Sequence, residues 1–345
     1  MATLDVTVMG AGIFGLSTAY ACARRGARVR VIDPNGIGAG SSGGIVGALA
    51  PHTPENWNDK KEFQFQSLLM AQEFWDGVDA LSGLSSGYGR LGRLQSIADE
   101  RALELAKARI TGATDLWRGH ATWQVIEANA DWAPKSPTGL LIHDTLSARL
   151  HPKQACVSLA AALRAMGVEI VIGQGVQEGL VLWATGVAGL EALSQGRPRV
   201  AGNGVKGQAI LLRYEAGEVP QLYADALHII PHQDGTVAIG STSERDYTSG
   251  TDTDAQLDEI HQRALTICPQ LTGAPVIARW AGVRPRARSR APMLGAWPDR
   301  SGQFIANGGF KIGFGMAPKV AEVMADLMLD NRDQIPDGFR VEASL

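Results

Sequence analysis

The sequence predicts an α/β protein: a discontinuous Rossmann-type dinucleotide domain with an antiparallel β-sheet domain, flanked by helices, inserted into it. Three observations carry that expectation. A glycine turn joins an apolar strand to an apolar helix, and a second apolar strand then ends in an acid at Asp33. Helix-and-strand texture of the same kind returns around 155–186 and again at 303–329. From residue 205 the pattern changes to closely spaced strands, as an inserted sheet requires. The expected division is 1–85, 138–205 and 284–345 for the dinucleotide domain, and 86–137 with 206–283 for the second domain.

Taken in order, "DVTVMG" reads as the first strand, "GIFGLSTAYACARRG" as a helix and "ARVRVID" as the second strand. A helix is expected over about 61–81, with Phe65, Leu68, Leu69, Phe74 and Trp75 as its buried face. A strand over 87–97 and a helix in "ERALELAKARI" follow. "ACVSLAAALRAMG" is an apolar helix that feeds the strands "VEIVIG" and "LVLWATG". The inserted strands are "VKGQAILLRY", "ALHIIPHQDG" and "TVAIGS", followed by a helix over 254–267 and a strand over 275–283. Pro285 lacks a backbone donor and is expected to bend the chain away from that last strand. "QFIANGG" is a strand running into a glycine turn, and "APKVAEVMADLML" is an amphipathic helix.

Among 345 residues, 32 Lys+Arg stand against 35 Asp+Glu, a formal net charge of −3. That balance argues against a general nucleic-acid binder, which needs a basic surface. The 41 glycines form short clusters without a period, the pattern of backbone that approaches a ligand closely. Cys22, Cys156 and Cys268 form no CxxC, so buried reduced thiols are expected, with neither a metal site nor a disulfide. No apolar run reaches the ~18 residues of a membrane span. The first residues run straight into a strand, which leaves no room for a signal peptide and makes a cytoplasmic location the expectation.

Gly10, Gly12 and Gly15, with Ile13 and Phe14 among them, make a GxGxxG between strand and helix. The glycines permit a tight turn, close approach of a pyrophosphate and close helix–strand packing, while the helix N-terminus favours the phosphate charge. Asp33, followed by Pro34, lies 18 residues after the third glycine and offers its carboxylate to ribose hydroxyls. It would repel a 2′-phosphate, which disfavours NADP. The motif alone leaves FAD and NAD both open.

Seven stretches, in one order along nearly the whole chain, widen that view: "GAGIFGLSTAY", "GAGSSGGIVGALAP", "LVLWATG", "VKGQAI", "HIIPHQDGTVAIGSTSE", "WAGVRPRARSRAPMLG" and "GGFKIGFGMAPKVAEVMADLM". Together they resemble the D-amino-acid oxidase, glycine oxidase and sarcosine oxidase family of flavoproteins. The resemblance implies FAD, a GR2-type Rossmann domain and an antiparallel substrate domain.

Residue by residue, it implies that Ser41, Ser42, Gly43 and Gly44 touch the pyrophosphate and ribityl side of FAD. Gly47, Ala48 and Leu49 match the backbone beside the isoalloxazine, and Val176 matches a residue flanking the adenine. Ala184, Thr185 and Gly186 match a second turn on the dinucleotide side. Gly308, Gly309, Phe310, Lys311, Ile312 and Gly313 match the loop at the pyrimidine end of the flavin. A flat ring system needs close backbone contact, which glycine permits. No cysteine follows Cys268, so the family's covalent flavin–cysteine link is not available and FAD is expected to bind noncovalently.

On the substrate side, Arg284 in "GVRP" matches the family arginine that pairs with a substrate carboxylate. Such a pair fixes orientation and contributes roughly 1.5 to 3 kcal/mol. Lys311 in "GGFK" matches the lysine of sarcosine oxidases and offers the carboxylate a second contact. His228 stands where many relatives have a tyrosine; it either faces the substrate or packs in the core. His52, just after "ALAP", either lines the site or is a solvated loop residue, and Trp57 with "NDKKE" reads as a solvated turn. Arg286, Arg288 and Arg290 are candidates for the rim of the site or for a solvated face. Two departures stand out: Ala238 replaces a lysine that sarcosine oxidases use in oxygen reactivity, and the stretch before "LVLWATG" is too short for the usual β-meander, leaving the adenine side more open.

The implied activity is oxidation of the C–N bond of a small amino or N-methyl amino acid. Hydride passes to FAD N5, the imine is hydrolysed, and oxygen or another acceptor takes the electrons. Such chemistry rests on positioning and desolvation, so no Ser-His-Asp triad or carboxylate pair is expected. A non-catalytic flavin-binding assembly or regulatory protein of the same fold is the alternative. An NAD-dependent dehydrogenase is a weaker one, since it would not need the glycine loops at 40–49 and 308–313. The oligomeric state is not legible in the sequence.

Overall fold

The computed structural model describes residues 3–345. Two large sheets organise it. The first runs in the order Met293–Ala296, Gln303–Asn307, Leu180–Trp183, Val6–Met9, Val29–Asp33 and Glu169–Ile172. Its strands pair in parallel except for the antiparallel edge strand Met293–Ala296. It therefore draws on the beginning, middle and end of the chain, the discontinuity the sequence predicts. Burial on both faces explains the near-continuous apolar runs of these strands.

The second sheet has eight strands, ordered Val276–Ala287, Gly202–Arg213, Thr236–Gly240, Leu227–Pro231, Gln221–Ala224, Arg93–Ser96, Leu140–Asp144 and Trp123–Glu127. Its pairings are antiparallel apart from Gln221–Ala224 beside Arg93–Ser96. Alternation divides its residues. One set, including Ile210, Leu212, Ile229 and Ile239, packs under the helix Ala255–Ile267 through Leu257, Ile260 and Ala264. The other set, with Ala209, Leu211, Ile230 and Ala238, packs against Ile45 and so faces the glycine-rich loop.

Around the parallel sheet, helices Ile13–Arg24, Asp59–Ser82, Pro152–Ala165 and Gly313–Asp330 share one apolar core. The long second helix has clear local causes. Asn58 accepts from the Lys61 N–H at its start, Asp59 and Glu62 lie in its first turn, and Gly83 closes it with φ 68°. Phe65, Leu68 and Trp75 are buried as expected, whereas Leu69 and Phe74 are half-buried at the edge of the stripe.

Several expectations need correction. The strand expected over 87–97 is confined to Arg93–Ser96, because Gly87 and Gly92 adopt φ of 71° and 79° and break the extended path. The strand expected to stop near 283 continues through Pro285 to Ala287, paired with Gly202–Arg213. It is an edge strand, so a missing donor is tolerated there. The last helix begins four residues before the expected start, at Gly313, and carries Pro318 inside it. Strands Trp123–Glu127, Leu140–Asp144, Gln221–Ala224 and Met293–Ala296 add to those expected from the sequence. Leu140–Asp144 pairs in the eight-stranded sheet, past the division expected at 138, and Gly202–Arg213 and Val276–Ala287 run through those expected at 205 and 284. No helix among the described residues is long and apolar enough to cross a membrane.

Candidate active site

The first strand ends at Gly10, with φ 112°, where a Cβ would lie 2.4 Å from the Ala184 carbonyl oxygen. A Cβ on Gly15 would lie 1.9 Å from the Gly10 carbonyl oxygen, so no larger residue fits without moving backbone. Gly12 begins the helix Ile13–Arg24 without a side-chain cap, and the Ile13 N–H donates to Ser42 Oγ at 3.0 Å. With no side-chain cap from Gly12, the N–H groups that follow Ile13 in the first turn are left available to an anion, with the Ser42 hydroxyl beside them. Asp33 is fixed next to this turn: Oδ2 accepts from the Ala11 N–H at 2.8 Å, and Oδ1 accepts from the N–H groups of Asn35 and Gly36 at 2.8 and 3.0 Å. Pro34 is exposed. Gly173 N–H donates to the Asp33 carbonyl at 2.9 Å, after which the chain turns back along the sheet, and the carbonyl of the exposed Val176 accepts from Arg30 Nη1 at 3.3 Å. A barred Cβ, an uncapped helix end and a fixed carboxylate fit an ADP-containing dinucleotide.

Three further loops converge on this turn. Ser41–Gly43 forms one short helical turn, and Gly44 lies 3.4 Å, measured from an added Cβ, from the Trp280 ring. A Cβ on Gly47 would come within 1.8 Å of the Leu150 carbonyl oxygen, and Ala48 and Leu49 pair with Arg149 and Ala148. Across from it, Ala184 N–H donates to Met9, while Thr185 leads into Gly186 with φ 59°. Asn307 ties that turn to the last loop: Nδ2 donates to the Gly186 carbonyl at 2.8 Å, and Oδ1 accepts from the Gly308 N–H at 2.7 Å. An added Cβ on Gly309 would lie 2.9 Å from the Phe14 ring, and one on Gly313 3.5 Å from Ile13. Phe310, with φ 45°, donates its N–H to the Pro285 carbonyl at 3.0 Å, and Ile312 donates back to Gly309. The structure thus assembles the three glycine loops around one helix end. Asn307 was not singled out from the sequence; its place directly before "GG" is the only signal it gives.

The inner face of the eight-stranded sheet supplies the opposite wall. Trp280, Gly282 and Arg284 lie opposite Ala209, Gly207 and Val205 in the register. Arg284 is buried, and its Nη1 donates to Ser241 Oγ at 2.8 Å. Its Nη2 donates to the carbonyls of Thr242 at 2.7 Å and Lys206 at 3.2 Å. Nε has no partner among the described residues, and no carboxylate there forms an ion pair with the side chain. Lost hydration lowers the Arg284 pKa to about 10, opposed by the charge of Glu244, so the guanidinium stays protonated at neutral pH. The Arg284 guanidinium stands 5.7 Å from the centre of the Phe310 ring, with that of Arg286 at 5.3 Å and Lys311 Nζ at 5.8 Å. Lys311 reaches solvent, yet lost hydration and then the charges of Arg284 and Arg286 lower its pKa.

The remaining candidates divide. His228 is half-buried on the same inner face, opposite Gly240, with its ring 4.7 Å from that of Tyr223. Desolvation first, then the charges of Arg93 and Lys311, lower its pKa to about 3. The charges that act on it are thus Lys311 and the arginine of the sheet's buried Arg93–Asp144 pair, 2.9 Å apart. His52 is held by Gln64, which accepts from its backbone N–H at 2.7 Å and also meets its ring. The "NDKKE" segment is a built helix start, with Trp57 donating to Glu62 at 2.8 Å and Glu55 paired with Arg109 at 2.6 Å. Arg286 is half-buried beside Phe310, whereas Arg288 and Arg290 are exposed. Ala238 is fully buried in apolar surroundings. Trp280 and Gly207, which shape the wall, lay inside the motifs "WAG" and "VKGQAI", but only the paired strands reveal their task.

The parallel sheet, the glycine loops at its strand ends and the basic antiparallel wall define a dinucleotide-dependent enzyme of the two-sheet flavoprotein class. The chain belongs to the DAO family of FAD dependent oxidoreductases, whose family model matches residues 5–327. FAD is accordingly its cofactor, and the resemblance carried by the seven motifs holds. Among curated proteins, the glycine oxidase of Pseudomonas putida is 28% identical over 352 aligned positions, covering 94% of each chain. Among solved structures, glycine oxidase from Geobacillus kaustophilus superposes with a TM-score of 0.85 at 18% identity, covering 98% of each chain. Iminodiacetate oxidase from Chelativorans sp. BNC1 gives 0.84 at 22% identity, covering 97% of this chain and 98% of that one. At those identities the two structures bear on the fold alone.

Proposed function

We propose that this protein oxidises the C–N bond of a small amino or N-substituted amino acid. The observation that carries the reading is Arg284: a buried, protonated guanidinium with no carboxylate partner among the described residues, between the flavin-side loop and the antiparallel wall. A substrate carboxylate supplies the missing anion, and Lys311, whose Nζ lies 5.8 Å from the centre of the same Phe310 ring, offers it a second contact. The hydroxyl of Ser241 and the carbonyls of Thr242 and Lys206 hold the fork in place before substrate arrives, so little reorganisation is needed. Trp280, Ala238 and Ile230 keep the adjoining wall apolar, which limits water around the reacting carbon.

Bound FAD supplies the two-electron acceptor for the substrate's α-C–H bond. We assign the glycine turn at 10–15, Asp33, Ser42 and the loops at 41–49, 184–186 and 308–313 to holding it. The imine product then takes up water and gives an oxo acid and an amine. Oxygen or another acceptor completes the cycle; buried Ala238 offers no cation to oxygen chemistry at its position. Anaerobic mixing of the yellow protein with D- and N-substituted amino acids tests the reading. Bleaching by at least one of them is the expected result. A flavoprotein that none of them reduces points instead to a non-catalytic role of the same fold.

A further inference from the structure

One buried arginine accounts for one carboxylate, but the site holds more positive charge than that. Arg284, Arg286 and Lys311 surround the Phe310 ring at 5.7, 5.3 and 5.8 Å. Lys60 joins them from the start of the helix Asp59–Ser82, its ammonium donating to the carbonyl of Arg290. Its pKa is lowered by lost hydration and then by the charges of Arg286 and Arg290, so these groups feel one another. None of the five cations makes an ion pair among the described residues, although seventeen other pairs do form there. Glu244, the carboxylate whose charge reaches Arg284, is already paired with Lys206 at 3.3 Å. The cofactor's pyrophosphate does not explain the excess either, since the helix end assigned to it above, beside Ser42, is a different element from the strand and loop that carry these cations.

Unpaired like charges held together cost free energy unless a ligand neutralises them. Arg286 extends the line of Arg284 by two residues along an extended strand, so the two guanidinium groups project from the same side of it. We propose that the site takes substrates with two anionic groups, namely amino or imino dicarboxylic acids, with Arg284 holding the carboxylate next to the amine and Arg286 with Lys60 holding the distal one. The substrate class rests on the amine-oxidising reading above; the second anion subsite does not.

The test is binding of non-oxidisable anions to the holoenzyme by calorimetry, with succinate against propionate at low ionic strength. Succinate is expected to bind at least about tenfold more tightly, a difference of about 1.4 kcal/mol. That ratio should collapse toward one in Arg286→Gln and in Lys60→Gln, and should fall with added salt. Equal affinity of the two anions in the unsubstituted protein overturns the proposal, as does a ratio that neither substitution changes. Flavin bleaching with aspartate, glutamate and iminodiacetate against alanine and sarcosine separates the two claims. Preference for monocarboxylates with no succinate selectivity removes the dicarboxylate subsite and leaves amine oxidation standing. Selective succinate binding without bleaching by any amino acid upholds the subsite and removes the oxidation.

Discussion

Arg284 lies across Gly207 so closely that a Cβ added to the glycine would come within 1.9 Å of Nη2 and 2.4 Å of Cζ. The guanidinium occupies the space where every other residue type has a side chain. Its position is thus set by an absence on the neighbouring strand as much as by its own three hydrogen bonds.

Gly207→Ala should therefore mimic loss of the arginine without touching its charge. The new methyl pushes the fork off Ser241 and Thr242, and the apparent substrate KM should rise at least about tenfold. Steady-state kinetics and a thermal melt on the same sample distinguish a displaced arginine from a protein that fails to fold. An alanine variant with unchanged KM would show that the fork has room to move.

Arg284→Lys keeps a positive charge but gives up the planar fork and two of its donors. Binding of a carboxylate should weaken by about tenfold or more, while Arg284→Ala should weaken it further. Titrating the flavin spectrum with a non-oxidisable carboxylate measures both. Equal affinity in Lys, Ala and unsubstituted proteins would remove Arg284 from the site.

Gly15→Ala brings a methyl group within 1.9 Å of the Gly10 carbonyl oxygen. Backbone must shift where the dinucleotide turn meets the helix, at a cost of about 1 to 3 kcal/mol or more. The expected result is a lower melting temperature and a purified protein with little bound flavin, read from its visible absorbance. A fully yellow variant of normal stability would overturn this view of the turn.

Burial holds the pKa of His228 and of His232 at about 3, against the ordinary 6.5. Between those values the unfolded chain binds protons that the folded chain does not. Their effect on stability is absent above about pH 6.5 and grows unfavourably as pH falls toward 3, by at most about 1.4 kcal/mol per pH unit for each histidine. His232→Gln should flatten the loss of stability between pH 7 and 5, measured by urea unfolding at both. An equally steep loss in the variant would place the proton uptake elsewhere. For the same reason His228 should contribute no ionisation near 6.5 to the pH profile of kcat.

Much of the dinucleotide half was legible in advance. Gly10, Gly12, Gly15 and Asp33 fall within a stretch of 24 residues, so their joint meaning is written in local order. The wall of the site was less legible. The register that lays Gly207 opposite Gly282 and Val205 opposite Arg284 joins segments some eighty positions apart, and no local pattern encodes it. Pro285 misled for a related reason: a lone proline reads as a break, whereas at a sheet edge the strand carries on to Ala287 and sets Arg286 beside Phe310. Asn307 gained its role only when its two amide atoms met Gly186 and Gly308.

The sequence by itself determined the α/β class and the glycine turn with its acid, because each depends on periodicity or on residues close in the chain, while Arg284 stood out only through the family resemblance of its motif. Tertiary structure alone decided that Lys60 reaches the carbonyl of Arg290, and that Arg284, Arg286 and Lys311 gather around Phe310. The physical reason is the range of the forces involved. Local propensities fix strands and helices one at a time, while charges act through space between segments that only folding brings together.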